Sequence, residues 1–243
     1  MLWRGGWVVP ISGGGMASLA ATCVFVVAMI NAFNFLDGSD GLAAGVAGII
    51  SIAYALPRLP HIDAFQIGLA CAIAGACLAF LRSNLAPAKI YLGDSGSTSL
   101  GLCVAFLGLE FWRSGHATFP RMVFPVLIAA LPLLDAALAI VRRISNGISP
   151  LYGDRRHFYD RLLARGWSTR RVALACYAIT AGFVAVAWWG VRSESPRFWL
   201  AAALGAGLLI AWAIKLGCLR GGIGTLTQRI SVREVRKDAA GFD

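Results

Sequence analysis

Apolar residues in this chain run continuously instead of alternating, in seven stretches: 16–34, 42–56, 65–82, 97–112, 119–141, 172–191 and 197–217. A helix that crosses a hydrocarbon core needs roughly 20 mostly apolar residues, with about 17 at the lower end. The pattern predicts an all-α fold, a polytopic transmembrane helical bundle of about seven spans, with residues 1–243 forming one integral-membrane domain. The second and fourth stretches are short and are expected to extend into their polar flanks. Pro125 and Pro132 lie inside the fifth, which predicts a kink of the kind membrane helices tolerate. A transmembrane barrel would need strict alternation, and these runs have none.

Composition strengthens this picture. The chain is 58% hydrophobic and 14% charged, against about 25% charge in average soluble domains, which excludes an ordinary water-soluble fold. So apolar a chain is not disordered either. The 22 basic residues exceed the 12 acidic ones, and their positions say why. The loop 142–171 holds Arg142, Arg143, Arg155, Arg156, Arg161, Arg165, Arg170 and Arg171, and basic loops stay on the cytoplasmic side. Alternation then puts 35–41, 83–96 and the basic tail 218–243 inside as well, and 57–64, 113–118 and 192–196 outside. Assigning helix-end residues to the nearest loop leaves only Arg4, Arg58, Arg113, Arg121, Arg192 and Arg197 outside. The basic excess is topological, and no nucleic-acid partner is needed to explain it. The expected location is the cell inner (plasma) membrane, with the chemistry on the cytoplasmic face.

The six cysteines lie within spans or at a span end, and none forms a Cys-x-x-Cys, so they are expected as small buried hydrophobes. The opening MLWRGGWVVPISGGG has neither the basic start nor the small-residue cleavage site of a signal peptide. By parity the first span begins outside, as in a chain that lacks an even number of earlier spans.

Three inside segments carry nearly all the polar information. In NAFNFLDGSDGLAAG, residues 31–45, Asn31, Asn34, Asp37 and Asp40 recur every three residues, which on a helix end keeps them near one face. Two acids at a membrane boundary with no basic neighbour in the segment point to function more than to a plain turn. Their spacing of three excludes the alternating ligands of an EF-hand. In AKIYLGDSGSTSLG, residues 88–101, Asp94 stands among small residues just before the fourth span. Small residues at a helix start let backbone amides approach a phosphate, and the carboxylate is a hard ligand for Mg²⁺. The plainer alternative is a helix cap at Asp94 or Ser95. The Gly-Asp-Ser-Gly string also surrounds a serine nucleophile in soluble proteases, but the partners of a triad are missing here.

The third segment, 149–171, gathers Arg155, Arg156, His157 and Arg161. Guanidinium groups grip phosphate oxygens in a bidentate fork. Anchoring to anionic lipid accounts for some of these arginines but not for His157 and Asp160 among them. His61 and His116 fall in outer loops without acidic or cysteine neighbours. Acids on one side and arginines on the other suit a magnesium-bridged diphosphate, and phosphoryl transfer needs positioning and charge neutralisation more than a protein nucleophile.

With these motifs in family order, the sequence resembles the polyprenyl-phosphate N-acetylhexosamine-1-phosphate transferases. The likeness rests on NAFNFLDGSDGLAAG, AKIYLGDSGS and RRISNGISPLYGDRRHFYDRLLARG, from about residue 20 to about residue 175. It implies a Mg²⁺-dependent membrane enzyme that moves a sugar-1-phosphate from a UDP-N-acetyl-amino sugar to undecaprenyl phosphate and releases UMP. It further implies Asp94 as principal magnesium ligand with Asn34 beside it, and Asp37 and Asp40 lining the nucleotide-sugar pocket. His157, Arg156 and Arg161 would contact the diphosphate or the sugar, and Lys89 a phosphate. The family's N-terminal spans carry an adjacent Asp-Asp pair; no Asp-Asp occurs in this chain, so those spans, an even number by parity and consistent with four, are expected to be missing. The stretch His157-Phe158-Tyr159-Asp160 has one histidine where several are common, which resembles the branch serving surface polysaccharides. A homodimer is compatible with all of this.

Two other classes compete. A transporter subunit could use Asp37, Asp40 and Asp94 as an ion path, although transport sites lie nearer the membrane midplane. A non-catalytic remnant could occupy the membrane without chemistry. The CDP-alcohol phosphotransferases place Ala-Arg soon after Asp-Gly, whereas Asp37-Gly38 is followed here by Ser39-Asp40-Gly41-Leu42.

Overall fold

The computed structural model describes Val9 and residues 15–56, 64–113, 118–147, 149, 156–193 and 197–219. Among these residues the regular structure is all helical: α1 (Gly15–Leu36), α2 (Leu42–Ala55), α3 (Ala64–Asn84), α4 (Gly93–Arg113), α5 (Phe119–Ile128), α6 (Ala130–Ser145), α7 (Phe158–Leu163), α8 (Thr169–Ser193) and α9 (Arg197–Lys215). Arg155, His61, His116, the stretch 150–155 and all but the start of the tail 218–243 lie outside the described residues.

Each apolar stretch becomes a helix, and the fifth becomes two. The axes of α5 and α6 differ by 70°. Pro132 has no N–H to give the Ile128 carbonyl and its ring crowds that carbonyl, so the ladder restarts with Leu133 N–H donating to the Ala129 carbonyl at 3.1 Å. Pro125, by contrast, stays within α5.

By length and apolarity α1, α3, α8 and α9 can cross a membrane, and the bent α5–α6 pair makes a fifth span if counted as one. The expected seven thus separate into four helices long and apolar enough to span, one bent pair, and two helices of another kind. α2 has only 14 residues, but 11 of them are buried: it packs against α3, α4 and α8 and is covered by protein, not lipid. α4 is long enough but opens on Gly-Asp-Ser-Gly-Ser-Thr-Ser and carries a buried Glu110, whose Oε1 accepts a hydrogen bond from Arg113 Nε at 2.9 Å.

α1 lies along α4. Between apolar helices in lipid, close packing replaces the hydrophobic effect as the driving force, and small residues allow it. A Cβ on Gly101 would stand 2.8 Å from the Met29 carbonyl oxygen and 2.8 Å from the Ile30 Cα; only glycine permits this crossing. At the far end of the bundle Phe111 stacks on Phe124 at 4.5 Å between ring centres, with Tyr54 and Trp188 edge-on within 5.8 Å. The Trp188 indole also donates to the Ala53 carbonyl at 3.2 Å. All six cysteines are free. Cys77, Cys176 and Cys218 are buried as expected, whereas Cys23 and Cys71 are exposed on α1 and α3, where lipid replaces a protein core around an apolar thiol.

Replacing Gly101 by Ala should therefore destabilise the bundle by about 1–3 kcal/mol, the usual cost of overpacking. Gly182→Ala, whose new methyl meets nothing within 4 Å, serves as the control. Denaturant unfolding of both variants in the same detergent checks this; equal stability of the two would show that α1 and α4 can separate without cost.

Candidate functional site

The α1–α4 crossing brings the C-terminal end of one helix beside the N-terminal end of the other. Asn34 Nδ2 donates to Asp94 Oδ1 at 3.3 Å and to Ser97 Oγ at 3.1 Å. α4 starts at Gly93, whose φ of 63° favours glycine, so Asp94 falls inside the first turn and not at the capping position. Asp37 follows directly on α1 and is half-buried. Burial, and then the charge of Asp94, push its carboxyl from 3.8 up to about 6.

The remaining residues of this group divide. Asp40 Oδ2 accepts the Ala88 N–H at 3.0 Å and so ties the first acidic loop to the second. Lys89 is exposed beside it, and its own N–H donates to the Ser83 carbonyl at 2.8 Å. Asn31 sits a turn before Asn34 on α1, exposed, with its amide donating to the Val27 carbonyl at 2.8 Å. The structure shows no contact from Asn31 to the acids.

Several residues that sequence reasoning passed over hold the loop 37–41. Asn84, buried at the end of α3, accepts the Gly41 N–H at 3.0 Å and donates to the Ile90 carbonyl at 2.8 Å. Tyr177 on α8 donates to the Gly41 carbonyl at 2.6 Å, and Gly45 leaves the space it occupies, since a Cβ there would overlap the phenol. Tyr159 on α7 donates to the Phe35 carbonyl at 3.0 Å. Arg170 donates to the Ala86 carbonyl at 2.8 Å.

The third segment meets the first at Phe35. The His157 ring lies 5.2 Å from the Phe35 ring and 5.7 Å from Tyr159, between ring centres, and the buried Arg143 guanidinium covers the Phe35 ring at 5.0 Å. His157 Nδ1 is 2.7 Å from Asp135 Oδ2, and the Phe158 N–H donates to Asp135 Oδ1 at 2.7 Å. Asp135 was hidden inside the fifth apolar run; the available signal was a lone acid within a span. Asp160 needs the opposite correction. Its Oδ2 accepts the His157 N–H at 3.0 Å, half of a capping box at the start of α7, so it is a helix cap.

The arginines also divide. Arg142 donates to the Cys218 carbonyl at 2.7 Å and to the Arg156 carbonyl at 3.0 Å, and Arg165 donates to the Leu216 carbonyl at 3.1 Å. The bonds to Cys218 and Leu216 satisfy carbonyls at the end of α9. Arg161 stands beside them, near Cys218, Arg156, Arg142 and Arg165. Burial first, and the surrounding guanidiniums after it, hold Arg161 below the ordinary arginine value. Its Nε is buried without a hydrogen-bond partner.

Asp37, Asp94 and Asn34 offer hard oxygen donors, and a cation would offset both the burial that chiefly raises the Asp37 carboxyl and the charge of Asp94 that adds to it. The Ser39 hydroxyl in the same loop is buried without a partner. No group of three or more His, Cys, Asp or Glu suited to a metal occurs among the described residues.

Residues 7–111 match the profile of glycosyl transferase family 4. The chain is similar to decaprenyl-phosphate N-acetylglucosaminephosphotransferase of Mycobacterium tuberculosis, 34% identical over 249 aligned positions that cover 88% of this chain and 59% of that protein. It is 34% identical over 185 positions to phospho-N-acetylmuramoyl-pentapeptide-transferase of Moorella thermoacetica, covering 73% of this chain and 51% of that protein. It is also 34% identical to undecaprenyl-phosphate alpha-N-acetylglucosaminyl 1-phosphate transferase of Escherichia coli, covering 73% and 48%. The chain spans about half to three-fifths of the length of these relatives.

The raised Asp37 carboxyl makes stability depend on pH with a definite sign. Folding favours its protonated form, so its contribution is most favourable below pH 3.8 and is lost as pH rises through about 6. Without divalent cation, the melting temperature of the parent minus that of Asp37→Asn should fall between pH 4 and pH 7, and Mg²⁺ at pH 7 should restore it. Parallel melting curves across this range would remove Asp37 from the field of Asp94.

Proposed function

The chain belongs to glycosyl transferase family 4, among the polyprenyl-phosphate N-acetylhexosamine-1-phosphate transferases, and we propose that it carries the donor-side site of such a transferase. The donor is a UDP-N-acetyl-amino sugar and the acceptor undecaprenyl phosphate. An oxygen of the lipid phosphate attacks the phosphorus that bears the sugar. One P–O bond forms to the lipid phosphate, the P–O bond to the UMP phosphate breaks, and UMP leaves with the bonding pair. With the lipid phosphate as a dianion, charge balances without any proton transfer, so positioning and neutralisation carry the catalysis.

A bound Mg²⁺ would supply neutralisation of the charge on the diphosphate oxygens. Asp94 and Asn34 would hold it, with Asp37 facing it. The first turn of α4 directs backbone amides toward the same space, and the glycine at its start lets a phosphate come close. Arg156, Arg161, Arg155 and Lys89 supply cationic groups for phosphate, and His157 lines the side next to Phe35. The observation that carries this reading is the Asn34–Asp94 contact at 3.3 Å, which joins two polar motifs 60 residues apart at one end of a membrane bundle. The crowding of guanidiniums around Arg161 supports an anionic partner. The distribution of arginines over the loops supports a plasma-membrane location with the site on the cytoplasmic face.

Membranes holding the protein should exchange labelled UMP into UDP-N-acetylglucosamine only with Mg²⁺ and polyprenyl phosphate present. Asp94→Asn should lower that rate by about 100-fold or more and abolish the Mg²⁺-dependent gain in melting temperature. Full exchange by Asp94→Asn would take that residue out of the metal site. Arg156→Ala should weaken UDP-sugar binding about 10-fold, the effect of removing a charge-assisted hydrogen bond. An unchanged affinity would leave Arg156 to membrane topology alone.

A further inference from the structure

We propose that Asp135 is a positioning residue that fixes the ring of His157 in one tautomer and thereby directs it to the sugar of the donor, not to its phosphates. The inference rests on the transferase reading above for the identity of the ligand, but its geometry stands independently. Asp135 and His157 are each 5% exposed. Both carboxylate oxygens of Asp135 are engaged: Oδ1 by the Phe158 N–H and Oδ2 by His157 Nδ1, each at 2.7 Å. The His157 backbone N–H goes to Asp160, and the ring is held between Phe35 and Tyr159. One acid from α6 thus clamps the first turn of α7 and the imidazole at its start in a single rigid unit.

The chemistry follows from donor and acceptor counts. A carboxylate only accepts, so the proton between Asp135 and the ring belongs to Nδ1. In the neutral ring Nε2 then carries a lone pair, and no hydrogen bond to the described residues uses it. Ionised phosphate oxygens are acceptors too and have nothing to give this atom. What it can receive is an O–H or an amide N–H, which in a nucleotide amino sugar means a hydroxyl or the N-acetyl group of the sugar. The arginines and the cation serve the diphosphate; His157, so oriented, serves the group beyond it.

Asp135→Asn separates this role from a structural one. The asparagine has the same shape, but its single oxygen is required by the Phe158 N–H. Its NH₂ therefore faces Nδ1, which must become the acceptor, and the proton moves to Nε2. Only three histidines occur in the chain, so ¹⁵N-histidine labelling of the full-length protein in micelles resolves them, with Asp135-independent assignment from the signal lost in His157→Gln. The parent should show the Nδ1–H tautomer at His157 and Asp135→Asn the Nε2–H tautomer. Binding of UDP-N-acetylglucosamine should weaken at least 10-fold in Asp135→Asn, while binding of UDP, which keeps both phosphates but lacks the amino sugar, should change less than twofold.

An unchanged tautomer in the variant overturns the clamp. An inverted tautomer with equal losses for UDP-N-acetylglucosamine and UDP, or with no loss for either, overturns the assignment to the sugar. A parent protein that binds neither compound defeats the transferase reading and with it the sugar assignment, whereas the clamp is still decided by the tautomer.

Discussion

Where a helix ends at the edge of hydrocarbon, its free amides and carbonyls have little water to meet them and must find partners within the protein. At the site end of this bundle, side chains from other elements meet that need. Tyr159 serves the last turn of α1, Asn84 and Tyr177 serve the turn that opens α2, Asp135 and Asp160 serve the first amides of α7, and Arg142 and Arg165 serve the end of α9. All of these bonds except that of Asp160 cross from one element to another, so the same bonds that satisfy the backbone also pin three distant segments together. The polar residues at this end fall into two groups as a result. One group is committed to backbone; the other, which includes Asp37, Asp94, Ser39 and Arg161, has polar atoms that no backbone group takes up.

Charge is distributed unevenly over this second group. Asp37 and Asp94 repel each other on one side, and guanidiniums crowd Arg161 on another. Each arrangement is unfavourable alone, because a desolvated charge needs a counter-charge. A diphosphate with its cation, in the role proposed for the donor, answers both with one ligand. Preorganised charge of this kind costs no rearrangement when the reaction occurs.

The helices were legible because lipid selects for unbroken apolar runs, and the α5–α6 break because Pro132 cannot complete the ladder. The standing of α2 was not legible: an apolar run of 14 residues reads alike whether lipid or neighbouring helices cover it. The three-residue spacing from Asn31 to Asp40 suggested one helical face, yet α1 ends at Leu36, so Asn31 and Asn34 are helical and Asp37 and Asp40 belong to the turn. Asp37 and Asp94 stood out in the sequence because they are acids at a span end. Asp135 was missed because it was counted within a span, and the capping bond of Asp160 to the His157 N–H was not visible in the spacing of the loop. Asn84 and Tyr177 have partners on the backbone, which leaves no trace in a side-chain motif.

The fit between Gly45 and Tyr177 has a practical side. The tyrosine reaches the acidic loop only because position 45 has no side chain, while the bundle itself is held together elsewhere, at the Gly101 crossing and in the far aromatic cluster. A single methyl group at position 45 would collide with the Tyr177 phenol and so act on the one side-chain bond that ties the acidic turn to α8, while every polar residue of the site stays in place.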